Sequence, residues 1–536
     1  MKVETTRARR GMIVTPHHLA SEAGLSVLRD GGNAIEAVIA AAAVIAVVYP
    51  HMNSLGGDNF WLISDGGRPP IGIDACGAAA GLASRSFYED LGYHEHIPGR
   101  GPLAALTVAG VVSGWAAAHE IAKAWGAVLP LARLLEEAAY YARYGFPASL
   151  TQCRNTADKR AELEPVTGFK EAFLPEGDVP APGSTVRFPA LAQTLERLAE
   201  AGFADFYHGE LARQLASDLE VCGSPLRLSD FERHRPLVIE KPLTVRLKEG
   251  TVYGMPPPTQ GLASLMILGL FDRLACSQAE SFEHIHGLIE ATKRAFLIRD
   301  RHVTDPAYAK VEAQAFLEPQ FLEAEAGAID KERALRWPYP ASPGDTVWLG
   351  AIDQKGRAVS FIQSIYWELG SGVVLPSTGI VWQNRGTSFS LDLSAPNPLM
   401  PHRRPFHTIQ PLMAFLDDGR IMPYGTMGGD GQPQTQAAVF TRYALFGEGL
   451  QESISAPRWL LGRNWGSAVT NLRVEDRLGV ALIEGLSAAG HDVEVLGAYE
   501  ELMGHAGALV LHRAGPLTGV IEGAADPRSD GSAAGF

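Results

Sequence analysis

Thirteen apolar residues stand in a row from Ala37 to Tyr49, bounded by Glu36 and Pro50, and this run restricts the fold more than any other feature of the chain. It is too short to cross a bilayer, which needs about 20 residues of helix. A helix that is apolar on every side has no face to offer water, so it belongs between layers of a large interior. Asn33 with Glu36 three positions on has the spacing of a capping box for its start, and Gly31-Gly32 can close a preceding helix that begins near residue 17. Downstream, Asn53-Ser54-Leu55-Gly56-Gly57-Asp58 leads into a short apolar strand, Phe60 to Ile63. A buried helix that hands over to a strand predicts stacked helix and sheet layers.

The chain has room for them. Its 536 residues exceed the usual single-domain length, and 46% hydrophobic with 20% charged residues is the composition of a protein that folds throughout. Acidic residues outnumber basic ones by 60 to 46, a net charge of −14 that disfavours nucleic acid and anionic membranes as partners. Cys76, Cys153, Cys222 and Cys276 are scattered and form no C-x-x-C pair, so reduced thiols are expected rather than a zinc knuckle or a disulfide framework. The charged first ten residues lack the apolar core of a secretory signal, and a cytoplasmic location is expected.

Apolar periodicity predicts helices in 105–125, 130–144, 188–202 and 281–299, with a break at Met255-Pro256-Pro257-Pro258. Residues 318–343 are polar and mixed and lead into Pro343-Gly344-Asp345, the composition of an exposed linker. At Thr346 the character changes. Thr346 to Asp353 and Ala358 to Tyr366 are apolar and rich in β-branched residues, and the polar Gln354-Lys355-Gly356-Arg357 between them marks a β-hairpin. Strands are also expected in 409–416, 420–427 and 507–512, and helices in 433–447 and 476–489.

No G-x-S-x-G elbow, P-loop or H-E-x-x-H helix occurs. His17-His18, His94-x-His96 and His284-x-His286 lack metal-helix spacing and are read as solvated or capping residues, so neither metal nor cofactor is expected. Gly344-Asp345-Thr346 alone says little, because threonine is a common first residue of a strand.

Its context says more. Met12-Ile-Val-Thr-Pro-His-His-Leu-Ala-Ser-Glu-Ala-Gly, Gly31-Gly-Asn-Ala, Leu55-Gly-Gly-Asp, Thr107-Val-Ala-Gly, Met255-Pro-Pro-Pro and Thr304-Asp-Pro are followed in order by Thr346 to Asp353, Gly370-Ser-Gly-Val, Arg403-Arg-Pro, Gly425-Thr-Met-Gly-Gly, Ala456-Pro-Arg, Leu472-Arg-Val-Glu and Ala525-Asp-Pro-Arg-Ser. These landmarks resemble the γ-glutamyltranspeptidase family over nearly the whole chain. The resemblance implies an α+β fold, the four-layer αββα sandwich of N-terminal-nucleophile hydrolases. It also implies a proenzyme whose large-subunit segment, 1–345, and small-subunit segment, 346–536, form one unit. Thr346 stands in register with the family's processing threonine, which puts the cleavage site between Asp345 and Thr346. Chemically this is coherent: cutting there frees an α-amine that titrates near ~8 and can serve as the base for the Thr346 hydroxyl. The resemblance further casts Gly428 and Gly429 as the pair whose N–H groups stabilise the oxyanion, and Ser364 as the hydroxyl that supports the nucleophile.

The departures from the family concern the substrate. Where the transpeptidases use an arginine to grip the α-carboxylate of a γ-glutamyl group, this chain has Cys76. The stretch that normally holds the α-ammonium reads Gln383-Asn-Arg-Gly-Thr-Ser, with Arg385 and Ser388 at the critical places and no acid. The family's Ser-Ser pair is His407-Thr408, and a family asparagine is Tyr366. Losing an acid while gaining a guanidinium points to a small amide with a carboxylate and no α-ammonium, and the pattern resembles the oxamate amidohydrolase branch, which yields oxalate and ammonia. Alternatives are a glutathione hydrolase or γ-glutamyltransferase with a rebuilt pocket, a cephalosporin-acylase-like enzyme, and an unprocessed non-catalytic binding protein. The expected partners are the small amide and the two cleavage fragments as an αβ heterodimer, or a dimer of these.

Overall fold

The computed structural model describes residues 4–337, 345–462 and 470–536. Two antiparallel sheets of seven strands each lie face to face. The first runs Ser532–Gly535, Gly11–Thr15, Asp345–Asp353, Ala358–Tyr366, Asp58–Ser64, Ile71–Asp74, Leu237–Ile239. The second runs Thr6–Ala8, Ile521–Ala525, Ala506–His512, Arg420–Thr426, Leu412–Leu416, Gly250–Gly254, Leu243–Arg246. Met12, Phe60, Trp348 and Ile362 from one sheet meet Met413, Ile421, Leu509 and Ile521 from the other in a single apolar layer. Trp348 fits there because Gly425 opposite it has no side chain; a Cβ on that glycine would stand 2.2 Å from the indole.

Helices cover both outer faces, completing the expected αββα order. One layer is centred on the helix Ala34–Val48, every residue of which is buried. Its all-round apolar surface is therefore matched by apolar neighbours, each fully buried Val or Ile contributing about 1.5–3 kcal/mol. The expected cap is present: Asn33 Oδ1 accepts from Glu36 N at 3.1 Å, and Glu36 Oε2 accepts from Asn33 N at 2.8 Å. The opposite layer is built on the helices Gly261–Leu274, Phe282–His302 and Gly431–Phe440.

Two expectations need correction. Residues 318–343 are not all linker: Pro319–Gly327 is a helix, started by Pro319 and packed through buried Leu322 and Ala326. The i, i+4 spacing of those two residues gives even this polar stretch one apolar stripe. The remaining Pro-rich part of the expected linker, 338–344, lies outside the described residues. The histidines His284 and His286 are buried rather than solvated. His284 Nδ1 accepts from Glu280 N at 3.1 Å, and His286 Nδ1 pairs with His491 Nε2 at 2.9 Å. His17 does cap a helix, accepting from Leu19 N at 3.3 Å.

Candidate active site

The strand Asp345–Asp353 runs straight through the Asp345–Thr346 peptide bond. Its pairing with Ala358–Tyr366 is irregular there: Asp345 faces Tyr366, but Val347 faces Gln363, so Ser364 and Ile365 bulge opposite Thr346. Such a bulge redirects side chains at a strand end. Tyr366, just past it, is held at φ +82°, a conformation that strains a bulky residue by about 1–3 kcal/mol, and its N–H donates to Ser364 Oγ at 2.8 Å. The Thr346 side chain is fully buried, and Gln432 Nε2 donates to its Oγ1 at 3.4 Å.

Gln432 sits in the first turn of the helix Gly431–Phe440, which Asp430 joins to Gly428 and Gly429. Their φ values, +119° and +51°, lie in the region that favours glycine, and they form a strand-to-helix turn whose N–H groups are released from any strand ladder. The adjacent helix N-terminus adds positive potential at the same spot, the arrangement an oxyanion needs. Buried polar contacts hold this turn. Gln260 Nε2 donates to Gly429 O at 2.8 Å and to Thr408 O at 2.5 Å, while Arg299 Nη1 donates to Gln260 Oε1 at 2.8 Å and to Asp430 Oδ1 at 2.6 Å.

Arg385, in the turn Arg385–Ser388, is fully buried. Its guanidinium lies over the Tyr366 ring at 3.8 Å, and Nη1 donates to Thr408 Oγ1 at 3.3 Å. Nε and Nη2 have no hydrogen-bond partner among the described residues, and no carboxylate there comes within 4.0 Å to form an ion pair with it. Burial lowers its pKa to about 10, against the pull of Tyr366 and Asp58. A buried guanidinium with two idle donors is costly unless an anion completes it. His407 and Cys76, both buried, are near enough to act electrostatically on the guanidinium. Ser388 shares the turn with Arg385, but its hydroxyl has no partner among the described residues.

The structure adds an acid that the 383–388 stretch lacks. Asp58 is fully buried; its Oδ1 accepts from Gly77 N and Gly110 N, each at 3.0 Å, and its Oδ2 stands 3.1 Å from His407 Nε2. That last approach lacks the alignment of a hydrogen bond, so the distance marks proximity and not a bond. Burial pushes the Asp58 carboxyl up to about 7 and drives His407 well below its ordinary range. The landmarks Thr304-Asp305-Pro and Arg403-Arg404-Pro interlock beneath this wall, with Arg403 Nη2 donating to Thr304 Oγ1 at 2.8 Å and Arg404 N to Asp305 Oδ2 at 2.9 Å.

Two buried trios have ligand atoms within 4.8 Å of one another, Asp58–Cys76–His407 and His286–Glu290–His491. Each already faces a protein cation. Arg385 acts on both Asp58 and His407, and Lys293 Nζ donates to Glu290 Oε1 at 2.7 Å, so a metal would have to compete with a fixed positive charge at either place.

Residues 20–536 match the family model described as gamma-glutamyltranspeptidase. The oxamate amidohydrolase proenzyme of Klebsiella pneumoniae is 54% identical over 98% of both chains, and the glutathione hydrolase-like YwrD proenzyme of Bacillus subtilis is 41% identical over 98% of both. The chain belongs to the γ-glutamyltranspeptidase family. Among solved structures, cephalosporin acylase from Bacillus halodurans superposes with a TM-score of 0.90 at 32% identity, covering 100% of this chain and 97% of that one. Membership makes the chain a self-processing N-terminal-nucleophile amidohydrolase, consistent with the αββα layers. The sequence put forward Thr346, Ser364, the glycine pair and Arg385, and the structure places Gln432 against Thr346, Gln260 against Gly429 and Asp58 near Arg385, three residues the sequence reading did not single out. Asp58 closes the quoted Leu55-Gly-Gly-Asp landmark, and Gln432 follows the glycine pair by one helical turn; both signals were present in the sequence. Among the described residues no helix is long and apolar enough to cross a membrane.

Proposed function

We propose that the chain cuts itself between Asp345 and Thr346 and that the freed Thr346 hydrolyses oxamate to oxalate and ammonia. In the precursor, Thr346 Oγ1 attacks the Asp345 carbonyl carbon, the peptide C–N bond breaks, and an ester links the two segments. Water opens that ester, leaving a carboxylate on Asp345 and an α-amine on Thr346. In turnover the amine takes the hydroxyl proton as Oγ1 attacks the amide carbon. The Gly428 and Gly429 N–H groups hold the oxyanion, ammonia leaves with a proton, and water releases oxalate from the oxalyl ester.

The observation that carries the substrate is Arg385, a fully buried guanidinium with Nε and Nη2 unpaired among the described residues. It suits the carboxylate that oxamate presents next to its amide, and Tyr366, Thr408, His407, Cys76 and Ser388 shape the rest of the pocket. The identity to the Klebsiella oxamate amidohydrolase proenzyme supports the same substrate. The active unit is an αβ heterodimer, or a dimer of these, in the cytoplasm; the four free cysteines suit a reducing compartment.

Thr346→Ala tests both steps together. It is expected to leave one uncut chain without oxamate hydrolysis, and a cleaved, active variant would end the proposal. The N-terminal residue of the smaller fragment of the unaltered protein should be threonine. Release of glutamate from a γ-glutamyl anilide as fast as oxamate turnover would instead favour a glutathione hydrolase.

A further inference from the structure

We propose that Asp58 is a specificity-determining residue: it takes up a proton as the substrate's carboxylate docks on Arg385, so that the buried site accepts one anion without holding two. The inference rests on the reading above that Arg385 grips a carboxylate.

Asp58 begins the strand Asp58–Ser64, where it pairs with Ser364 beside the nucleophile's strand. Both of its oxygens are buried, but they are not equally satisfied: Oδ1 takes two backbone N–H groups, whereas Oδ2 has no aligned hydrogen bond among the described residues and looks at His407, the nearby Gln383 side chain being close enough only to favour the charged form. The groups facing it are few. Arg385 and Gln383 come from the segment before and within the 385–388 turn, His407 from the segment that precedes Leu412–Leu416, Cys76 from the end of Ile71–Asp74, and Tyr207 from the helix Asp205–His208. Burial keeps His407 neutral and pushes the Cys76 thiol and the Tyr207 hydroxyl up, so none of these three carries charge near neutral pH. The nearby Asp74 and Arg404 answer each other at 2.5 Å.

Among the described side chains that leaves one cation, Arg385, and one acid, Asp58, buried beside each other, with the Thr346 α-amine of the processed enzyme, which titrates near ~8, as the further ionisable group at the reacting end of the substrate. A substrate carboxylate brings a second negative charge for the same guanidinium. Two carboxylates sharing one buried counter-charge raise each other's affinity for a proton, and the one with an idle oxygen is the one to take it. Burial has already moved Asp58 up to about 7, so the uptake is easy at neutral pH. Protonation also withdraws the one acid that faces Arg385 among the described residues and could welcome an ammonium, which turns the site away from α-amino substrates.

The test uses the processed enzyme with oxalate as a non-reacting ligand. Calorimetric titrations in buffers of different ionisation enthalpy are expected to report about one proton taken up per oxalate at pH 8, falling towards zero at pH 6, where Asp58 is already protonated. Asp58→Asn, which keeps the Oδ1 acceptor for Gly77 and Gly110, is expected to lose that proton, leaving at pH 8 only the smaller uptake of the Thr346 α-amine. In the unaltered enzyme KM for oxamate should rise about tenfold per pH unit above 7, and the slope should vanish in Asp58→Asn and for uncharged oxamide. Oxalate binding without proton uptake at pH 8, or an unchanged slope in the variant, would overturn the role of Asp58 alone. No oxalate binding at any pH would overturn the carboxylate reading and this inference with it. Should Asp58→Asn fail to fold, the pH slope of KM for oxamate against oxamide in the unaltered enzyme decides the matter, since the Thr346 α-amine titrates alike for both: a slope shared by oxamide would overturn the role of Asp58.

Discussion

A threonine hydroxyl buried in a strand is chemically quiet until something takes its proton and something else receives the charge it creates. Thr346 has neighbours suited to the second task in Gln432 and the Gly428–Gly429 turn. Gly428→Ala would force a Cβ onto a residue at φ +119° and twist the turn, so kcat is expected to fall about 100-fold with little change in KM, as steady-state kinetics would show. Arg385→Ala removes a charge-assisted contact worth about 1.5–3 kcal/mol. KM for oxamate should therefore rise roughly 10- to 100-fold while oxamide is hardly affected; equal effects on both would mean that Arg385 is structural. These residues were legible because chemistry restricts their type. Gln260 was not: a glutamine has no signature, and it holds Gly429 from 169 positions away.

The elements that read most clearly were those whose local pattern agrees with their surroundings. Asn33-x-x-Glu36 and the apolar run after it announced a capped, buried helix, and the Thr346 hairpin announced itself by alternating β-branched segments around a glycine turn. The helix Pro319–Gly327 was hidden because its stripe is only two buried residues wide. The segment that follows it is clasped by a buried network: Lys293 Nζ donates to Glu290 Oε1 at 2.7 Å and to Leu335 O at 2.7 Å, and Leu335 N donates to Glu290 Oε2 at 2.9 Å. His491, from the far side of the Asp345–Thr346 bond, stands 3.4 Å from Lys293 Nζ. Breaking a buried ion pair from one side costs about 3–5 kcal/mol, so Glu290→Gln should lower the melting temperature clearly. It should also slow self-cleavage, since the clasp holds Leu335, ten residues before Asp345; a time course of the uncut band measures this.

At the scale of the whole molecule, each sheet is woven from both sides of the Asp345–Thr346 bond. Gly11–Thr15 lies between Ser532–Gly535 and Asp345–Asp353, and Gly250–Gly254 lies beside Leu412–Leu416. The two fragments should therefore elute together in native gel filtration and part only under denaturing conditions. Co-elution after cleavage checks the interleaving directly. By itself the sequence determined the layered αββα class and the amidohydrolase branch of the family, and it put forward Thr346 as the nucleophile, because these depend on periodicity, on residue chemistry and on landmarks kept in order. Only the tertiary structure decided which charges meet. Asp58 faces Arg385 and His407, and Gln260 braces the Gly428–Gly429 turn, because strands and loops hundreds of residues apart are brought together in the interior. There an acid's ionisation depends on its neighbours and not on its place in the chain.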